Sequence, residues 1–352
     1  MLTEKSVPIG ERAVGAGQPC FIIAEAGVNH NGDLALAKRL VDAAAAAGAD
    51  AVKFQTFTAE RLASAAAPKA KYQVETTDPG ESQFEMLKRL ELPPQAHREL
   101  LAYCQGVGIL FLSSPFDEQN ADLLESLGVP AFKIPSGEIV NLPYLRHVAG
   151  KRRPLIVSTG MATLGEVEMA VRTIEESGNP GVVLLHCVSN YPARAADVNL
   201  CAMETMARAF RVPVGYSDHV PGNEVAFAAV ALGACVIEKH FTLDRSLPGP
   251  DHRASLEPGE LAALARGVRT VESALGDGRK RPAASEADTA AVARKSLVAA
   301  RDLTAGTVLT DEMIAVKRPG TGLPPAMLPY VLGRKVRRPL QKDTLLTLED
   351  MA

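Results

Sequence analysis

Short runs rich in Val, Ile, Leu and Phe recur along the chain, separated by stretches whose apolar residues fall at helical spacing. The runs are Cys20–Ala26, Ala51–Thr56, Leu110–Pro115, Ala131–Ser136, Leu155–Gly160, Val182–Cys187, Val212–Asp218 and Cys235–Phe241. Most are continuously apolar in their first half, as parallel strands covered on both faces are. Between them the spacing predicts amphipathic helices, among them Leu34–Ala47, Ala96–Gln105, Gln119–Leu127, Leu164–Ser177, Glu224–Leu232 and Gly259–Leu275. Eight such β–α alternations over roughly 250 residues predict a (β/α)8 TIM barrel. A doubly wound sheet is the competing arrangement, but no glycine-rich dinucleotide loop follows the first run.

Every run ends in polar residues: Glu25 and Asn29 after the first, Lys53 and Gln55 on the second, Ser113 and Ser114 on the third. Lys133, Ser136 and Glu138 close the fourth, and Ser158 and Thr159 the fifth. His186 to Tyr191 follow the sixth, Ser217, Asp218 and His219 end the seventh, and Glu238, Lys239 and His240 end the eighth. One polar strand end is explained by a helix cap. Eight together predict a mouth at the C-terminal ends of the strands, where barrel enzymes carry their chemistry.

After Leu275 the pattern changes. Residues 276–286 have the Gly, Pro and polar composition of a linker, which is placed at 279–293, and 294–352 read as a small, mostly β domain following a barrel over 1–278. A domain of about 60 residues is marginally stable alone, so docking is expected. Composition excludes several function classes. The chain has 352 residues, with 38 basic against 41 acidic and no basic block, which argues against a nucleic-acid surface. No apolar stretch approaches the roughly 20 residues of a membrane span, and the polar start lacks a signal peptide's apolar core. Five scattered cysteines without a CxxC pair fit packing in a reducing cytoplasm.

Lys53 and Lys133, beside Ser136, Ser158, Ser217 and glycine-adjacent amides, suit a phosphorylated and carboxylated anion. The plainer alternative makes each lysine a partner of Glu25, Glu138 or Glu238. His219 and His240 end adjacent strands near Asp218 and Glu238, a donor set suited to Mn, Zn or Fe, or else are simply hydrogen-bonded core histidines. His30 and His186 carry weaker signals, and His97 and His147 fall on predicted helices. Pro248-Gly-Pro-Asp251 reads as a tight loop presenting Asp251 to the mouth, or as a turn that Asp251 caps.

Through these residues the chain resembles the sialic acid synthases (N-acylneuraminate-9-synthases). The matching segments are Ile23-Ala-Glu-Ala-Gly-Val-Asn-His-Asn-Gly32, Val52-Lys-Phe-Gln-Thr56, Ala67-Pro-Lys-Ala-Lys-Tyr-Gln73 and Phe132-Lys-Ile-Pro-Ser-Gly-Glu138. Ser158-Thr-Gly-Met161, Tyr216-Ser-Asp-His219, Ile237-Glu-Lys-His-Phe-Thr242, Pro248-Gly-Pro-Asp251 and Val316-Lys-Arg-Pro-Gly320 complete the set. The match runs in order over nearly the whole chain, and its last part is similar to the antifreeze-like (SAF) domain.

The resemblance implies a transferase that condenses phosphoenolpyruvate with an N-acylated 2-amino-hexose to a nonulosonic acid and phosphate by C–O cleavage. The acceptor is N-acetylmannosamine or a 2,4-diacetamido-trideoxy hexose, so that N-acetylneuraminate, legionaminate and pseudaminate are the candidate products. It implies a divalent metal on His219 and His240, usually manganese, with magnesium or cobalt as alternatives. Phosphoenolpyruvate falls to Lys53, Lys133, Ser136, Ser158, Ser217 and Ser114. Glu25, Gln55 and Asp251 take sugar hydroxyls, and Glu138 and Glu238 are candidates for proton transfer. In a domain-exchanged homodimer Arg318 reaches the acyl group at the partner's site. The chain departs from the family's usual pattern before Tyr191, where Ser189 and Asn190 both compete for the phosphoenolpyruvate contact. Two other readings are a class I aldolase forming an imine on Lys53, Lys133 or Lys239, and a non-catalytic binding protein.

Overall fold

A computed structural model describes residues 5–352. The chain divides into two compact units, the first ending at Gly276 and the second spanning Asp277–Ala352.

The first unit is a parallel eight-stranded barrel. Its strands are β1 (Phe21–Gly27), β2 (Ala51–Thr56), β3 (Leu110–Pro115), β4 (Phe132–Ile134), β5 (Leu155–Ser158), β6 (Val182–Cys187), β7 (Val214–Asp218) and β8 (Val236–His240). Each is followed by one barrel helix: α1 (Leu34–Ala46), α2 (Pro94–Val107), α3 (Glu118–Leu127), α4 (Leu142–Gly150), α5 (Leu164–Glu176), α6 (Ala202–Phe210), α7 (Glu224–Ala231) and α8 (Pro258–Leu275). The pairing order is β3-β2-β1-β8-β7-β6-β5-β4. β3 lies against β4 at the seam without a hydrogen-bonded ladder, so the barrel is nearly closed. The observed strands lie within the predicted runs or overrun them by one residue, since residues such as Gly160 already turn toward the next helix.

Side chains alternate across each strand, and here the alternation makes two separate cores. Outward residues such as Ile22, Ala24, Val52, Phe54, Val157 and Ile237 pack beneath the helices. Inward residues Phe21, Ile23, Ala51, Leu112, Ala131, Ile156, Val183, Leu185 and Val236 fill the N-terminal half of the interior. A hairpin of Ser6–Ile9 and Arg12–Gly15, which the apolar pattern does not predict, closes that end with Val7, Ile9 and Val14. Its four-residue strands contribute too few alternating apolar positions to stand out. One inward position further along each strand, the interior changes from apolar to polar.

A second departure lies between β2 and α2, where the chain makes an excursion with short helices Ala59–Leu62, Lys71–Thr76 and Gln83–Leu90. The last begins with a capping box in which Ser82 and Glu85 satisfy each other's backbone amides. Among the described residues no helix is long and apolar enough to cross a membrane.

The second unit is built around Leu297, Leu303, Leu309, Val336, Leu340, Leu346 and Met351. Its regular β structure is a single antiparallel pair, Ser296–Ala299 with Ile314–Lys317, extended by isolated bridges. Just before Ile314 the chain makes a 3-10 turn, Asp311–Met313, so the unit holds less regular β structure than expected. The segment 279–293, expected to be a linker, carries the helix Ala287–Ala293, and the Gly320 amide donates to Ala291 O at 2.7 Å. Alanines make a sound helix even where Gly, Pro and charge dominate the neighbouring composition.

Gly215 lies on β7 facing the interior, and a Cβ there would lie 2.6 Å from both Val236 Cβ and Val236 O. Gly215→Ala is expected to destabilise the barrel by about 1–3 kcal/mol through overpacking. A thermal melting midpoint equal to that of the parent protein would show that β8 has room to yield.

Candidate active site

The inward positions just above the apolar layer are Glu25 on β1, Lys53 and Gln55 on β2, Ser114 on β3 and Lys133 on β4. Ser158 on β5, Cys187 on β6, Ser217 on β7, and Glu238 and His240 on β8 complete the ring. All line one cavity of about 490 Å³ at the C-terminal mouth. Residues just beyond the strands join them: Ser136, Ser189, Tyr191, His219 and Asp251. Close approach of these loops needs Gly160. Its amide donates to Ser136 Oγ at 3.0 Å, and a Cβ there would overlap Ser189 Oγ and come within 2.8 Å of Ser136 Oγ.

Glu238 organises the charges. Its Oε1 is 3.2 Å from Lys133 Nζ and accepts from Ser217 Oγ at 2.9 Å, and its Oε2 is 3.8 Å from Lys53 Nζ. Lys53 also pairs with Glu25 Oε2 at 2.6 Å and donates to Ser114 Oγ at 3.2 Å. Burial pushes the Glu238 carboxyl up, but the ammonium groups of Lys133 and Lys53 outweigh it and hold Glu238 down at about 2. Burial dominates at Glu25, raised to about 7 against the pull of Lys53, and at Asp251, raised to about 6. For Lys53, burial favours the neutral amine, yet Glu238 and Glu25 together raise its pKa. Burial outweighs Glu238 at Lys133 and lowers it. The three carboxylates thus divide into one fixed anion and two groups near their titration points, the latter suited to proton transfer near neutral pH.

His219 and His240 stand on the same wall with ring centroids 5.5 Å apart, and the Tyr191 ring lies 4.3 Å from His219. His219 Nδ1 is 2.6 Å from Val188 O, which makes Nδ1 the donor and leaves the Nε2 lone pair free. His240 Nδ1 is buried with no hydrogen-bond partner, 3.8 Å from Asp251 Oδ2. Burial lowers the pKa of both rings, His240 further than His219 because His219 and Lys53 add to the effect. Two neutral imidazoles with available lone pairs fit a borderline divalent cation. No group of three or more His, Cys, Asp or Glu side chains suited to a metal occurs among the described residues. Among the described residues the cavity thus presents a pair of imidazoles, His219 and His240, and no larger donor cluster.

Some expected residues stand elsewhere. Glu138 lies in the 3-10 turn Ser136–Glu138 outside the cavity, where its Oε2 accepts from Asn141 Nδ2 at 2.7 Å. Asn190 is exposed, and Ser189 is the one of the two that lines the cavity. Lys239 points outward from β8, between its inward neighbours Glu238 and His240. Its Nζ is 2.5 Å from Asp218 Oδ2 and 2.6 Å from Val220 O, so it cannot serve an imine in the cavity. Arg318 belongs to the second unit, where it is exposed and its Nε donates to Ala293 O at 3.1 Å. His30, His97 and His186 lie outside the cavity lining.

Cys187, expected only to pack, lines the cavity with its Sγ 3.1 Å from Ser136 Oγ, and the other lining residues missed from sequence come mainly from the excursion. Tyr72, Gln73 and Gln83 line the cavity, as do Leu62, Met86, Leu87 and Leu90, and Tyr72 lies 5.1 Å from the Tyr191 ring. Tyr72 and Gln73 sit inside one of the recognised motifs, and that was the available signal. The apolar residues gave none, because they read as an ordinary amphipathic helix.

Comparison with known proteins adds to this geometry. Residues 40–280 match the NeuB family and residues 294–352 the SAF domain. An N,N'-diacetyllegionaminic acid synthase of Legionella pneumophila is 50% identical over 97% of this chain and 97% of its own. The enzyme of the same name from Campylobacter jejuni is 49% identical over 93% of this chain and 98% of its own. The crystal structure of an N-acetylneuraminic acid synthetase from Leptospira borgpetersenii superposes with a TM-score of 0.72 at 38% identity, covering 82% of this chain and 95% of that one.

Glu238→Gln leaves two buried ammonium groups short of their common partner and is expected to cost about 3–5 kcal/mol of stability. Combining it with Lys133→Met removes one of those orphaned charges, so the double variant should be less destabilised than the two single losses predict together. Strict additivity of the melting shifts would show that the ions are not coupled.

Proposed function

The chain belongs to the NeuB family, and from that premise we propose that it condenses phosphoenolpyruvate with an open-chain, N,N'-diacetylated amino sugar to a nonulosonic acid and phosphate. The observation carrying this reading is the cavity itself: two buried lysines held by one ionised carboxylate, ringed by serine hydroxyls, beside two uncharged histidines. The legionaminic acid synthases, at 50% and 49% identity, support the doubly acetylated acceptor over the singly acetylated one suggested by the Leptospira protein at 38%.

Lys53 and Lys133 bind the phosphate and carboxylate, with Ser114, Ser136, Ser158, Ser189 and Ser217 as hydroxyl donors. Glu238 keeps both lysines oriented. C3 of the enol forms a bond to the aldehyde carbon, whose oxygen takes up a proton. Water adds at C2 and loses a proton, and the C2–O bond to phosphate breaks with its electron pair leaving on phosphate. The products are the 2-keto acid and inorganic phosphate. Glu25, paired with Lys53 and 3.4 Å from Gln55 Nε2, stands where a proton can be held or passed. Asp251 and Gln55 take sugar hydroxyls. His219 and His240 would hold a divalent cation, manganese in the first instance, and when bound it supplies Lewis-acid polarisation of the aldehyde oxygen. Assembly as a homodimer in which Arg318 serves the partner's site is part of the proposal on the family resemblance, and mixed refolding of His240→Ala and Arg318→Ala chains tests it.

Phosphate release should require both substrates, and phosphoenolpyruvate carrying 18O at the bridging position should deliver that label to phosphate. Unlabelled phosphate would mean P–O cleavage and a different reaction. Lys53→Met and Lys133→Met should each raise the phosphoenolpyruvate KM by about 10- to 150-fold, the worth of a charge-assisted bond of about 1.5–3 kcal/mol. Normal phosphoenolpyruvate dependence in both would return the lysines to a structural role. Chelation should abolish turnover and manganese restore it, while His219→Ala and His240→Ala should lose manganese binding in calorimetry. Unchanged binding in either variant would remove that histidine from the metal site.

A further inference from the structure

Asn29 stands in the turn between β1 and α1, and no step of the condensation uses it. It is buried, as are Phe241, Asp251 and Ser255, yet of these four only Asp251 lines the cavity. Asn29 Nδ2 donates to Phe241 O and to Ser255 Oγ, both at 2.9 Å. A backbone carbonyl only accepts, so the amide atom facing Phe241 O is the nitrogen, and the same nitrogen can only donate to Ser255. The Ser255 hydroxyl therefore accepts from Asn29 and gives its one proton to Asp251 O, 2.7 Å away. Among the described residues it has no other hydrogen-bond partner. The next residue of the loop is held as well: His252 Nδ1 is 2.7 Å from Thr242 Oγ1 and its Nε2 is 3.4 Å from Asn31 Oδ1. The approach of the two loops is close enough that a Cβ on Gly249 would lie 2.8 Å from Asn31 Oδ1.

We propose that Asn29 is a positioning residue for Asp251, acting through the Ser255 hydroxyl, and that this relay fixes the Asp251 carboxylate against the acceptor sugar. The proposal rests on the condensation reading above, in which Asp251 takes sugar hydroxyls. Glu25 and Glu238 are set in place by strand ladders on both sides. Asp251 lies in a loop after β8 and has no ladder. His240 Nδ1, 3.8 Å from its Oδ2, is too far for a hydrogen bond, so the carboxylate is placed by its main chain. The relay anchors that main chain to the turn after β1, the strand that carries Glu25. Asn29→Asp keeps the shape of the side chain and reverses the relay. A carboxylate offers no hydrogen to Phe241 O, and it draws the Ser255 proton away from the Asp251 carbonyl. A shift of about 1 Å in an aligned group costs on the order of 100-fold in rate, and loss of a group that orients a binding residue costs about 10- to 100-fold.

The test measures phosphate release from phosphoenolpyruvate and a diacetamido hexose in the wild type, Asn29→Asp, Ser255→Ala, their double variant and Asp251→Asn, with circular dichroism to establish folding. Asn29→Asp and Ser255→Ala should each lower kcat/KM for the acceptor by about 10- to 100-fold, while the phosphoenolpyruvate KM stays within about twofold of the wild type. The double variant should be no worse than the poorer single one, because both changes break the same relay. Single losses that multiply in the double variant, or a phosphoenolpyruvate KM that rises as far as the acceptor's, overturn the positioning role and leave Asn29 a structural one. Where Asn29→Asp does not fold, Ser255→Ala decides alone, and unchanged acceptor kinetics in that variant overturn the proposal. Normal acceptor kinetics in Asp251→Asn would leave nothing to position, so the proposal falls while the condensation stands. If the wild type releases no phosphate with both substrates present, the condensation reading fails and the relay's role falls with it.

Discussion

Two ammonium groups inside a barrel, each less than one-twentieth exposed, are tolerable because carboxylates lie against them, and one of these, Glu238, stands between the two. Taking a single charge out of water costs several kcal/mol, and attraction offsets that cost only with good geometry and further hydrogen bonds. Glu238 has both: Lys133 at 3.2 Å, Lys53 at 3.8 Å and the Ser217 hydroxyl at 2.9 Å. Glu25 and Ser114 hold Lys53 from other directions. The network therefore sets out cations and hydroxyls before any anion arrives, so little reorganisation is left for binding.

The network sits where it does because β strands alternate. On β8, Glu238 and His240 face the cavity while Lys239 between them faces the helices. Lys239 is not wasted there. It pairs with Asp218, whose other oxygen accepts from the Tyr216 hydroxyl at 3.0 Å and the Val220 amide at 2.9 Å. That second buried pair links β7 to β8 behind the two histidines and shapes the turn carrying His219. One short strand thus serves the inner site and its outer support with consecutive residues. The hairpin plug and the apolar layer beneath supply the dry floor that strengthens every charge above them.

Charged and apolar side chains are separated in the same cavity. Strand residues, fixed by ladders on both sides, carry the charges. The excursion after β2 carries Tyr72, the glutamines and an apolar wall, and it is tied to the Asp251 loop through Thr76 Oγ1 and Pro250 O at 3.2 Å. Loops on a rigid scaffold are where variation is tolerated, so the excursion can vary without disturbing the ions.

Local pattern determined the strands, their order and the polar mouth, because burial on both faces leaves apolar runs that need no knowledge of distant contacts. It also brought Lys53, Lys133, His219, His240, Glu25 and Glu238 forward as candidates at or just past strand ends, and Asp251 from the loop after β8. Tertiary structure decided what each of them faces. Lys239 and Lys53 are both lysines near strand ends, yet one looks outward at Asp218 and the other inward at Glu25 and Glu238. Glu138 carries a motif's carboxylate but turns to Asn141, while Ser189 rather than Asn190 reaches the cavity. Leu62 and Leu87 become a wall only when a chain segment with no strand of its own folds over the mouth. Periodicity tells which face of an element a residue occupies. What that face meets depends on pairing between residues far apart in the chain, and so does the charge a buried carboxyl keeps, as the contrast between Glu238 at about 2 and Glu25 at about 7 illustrates.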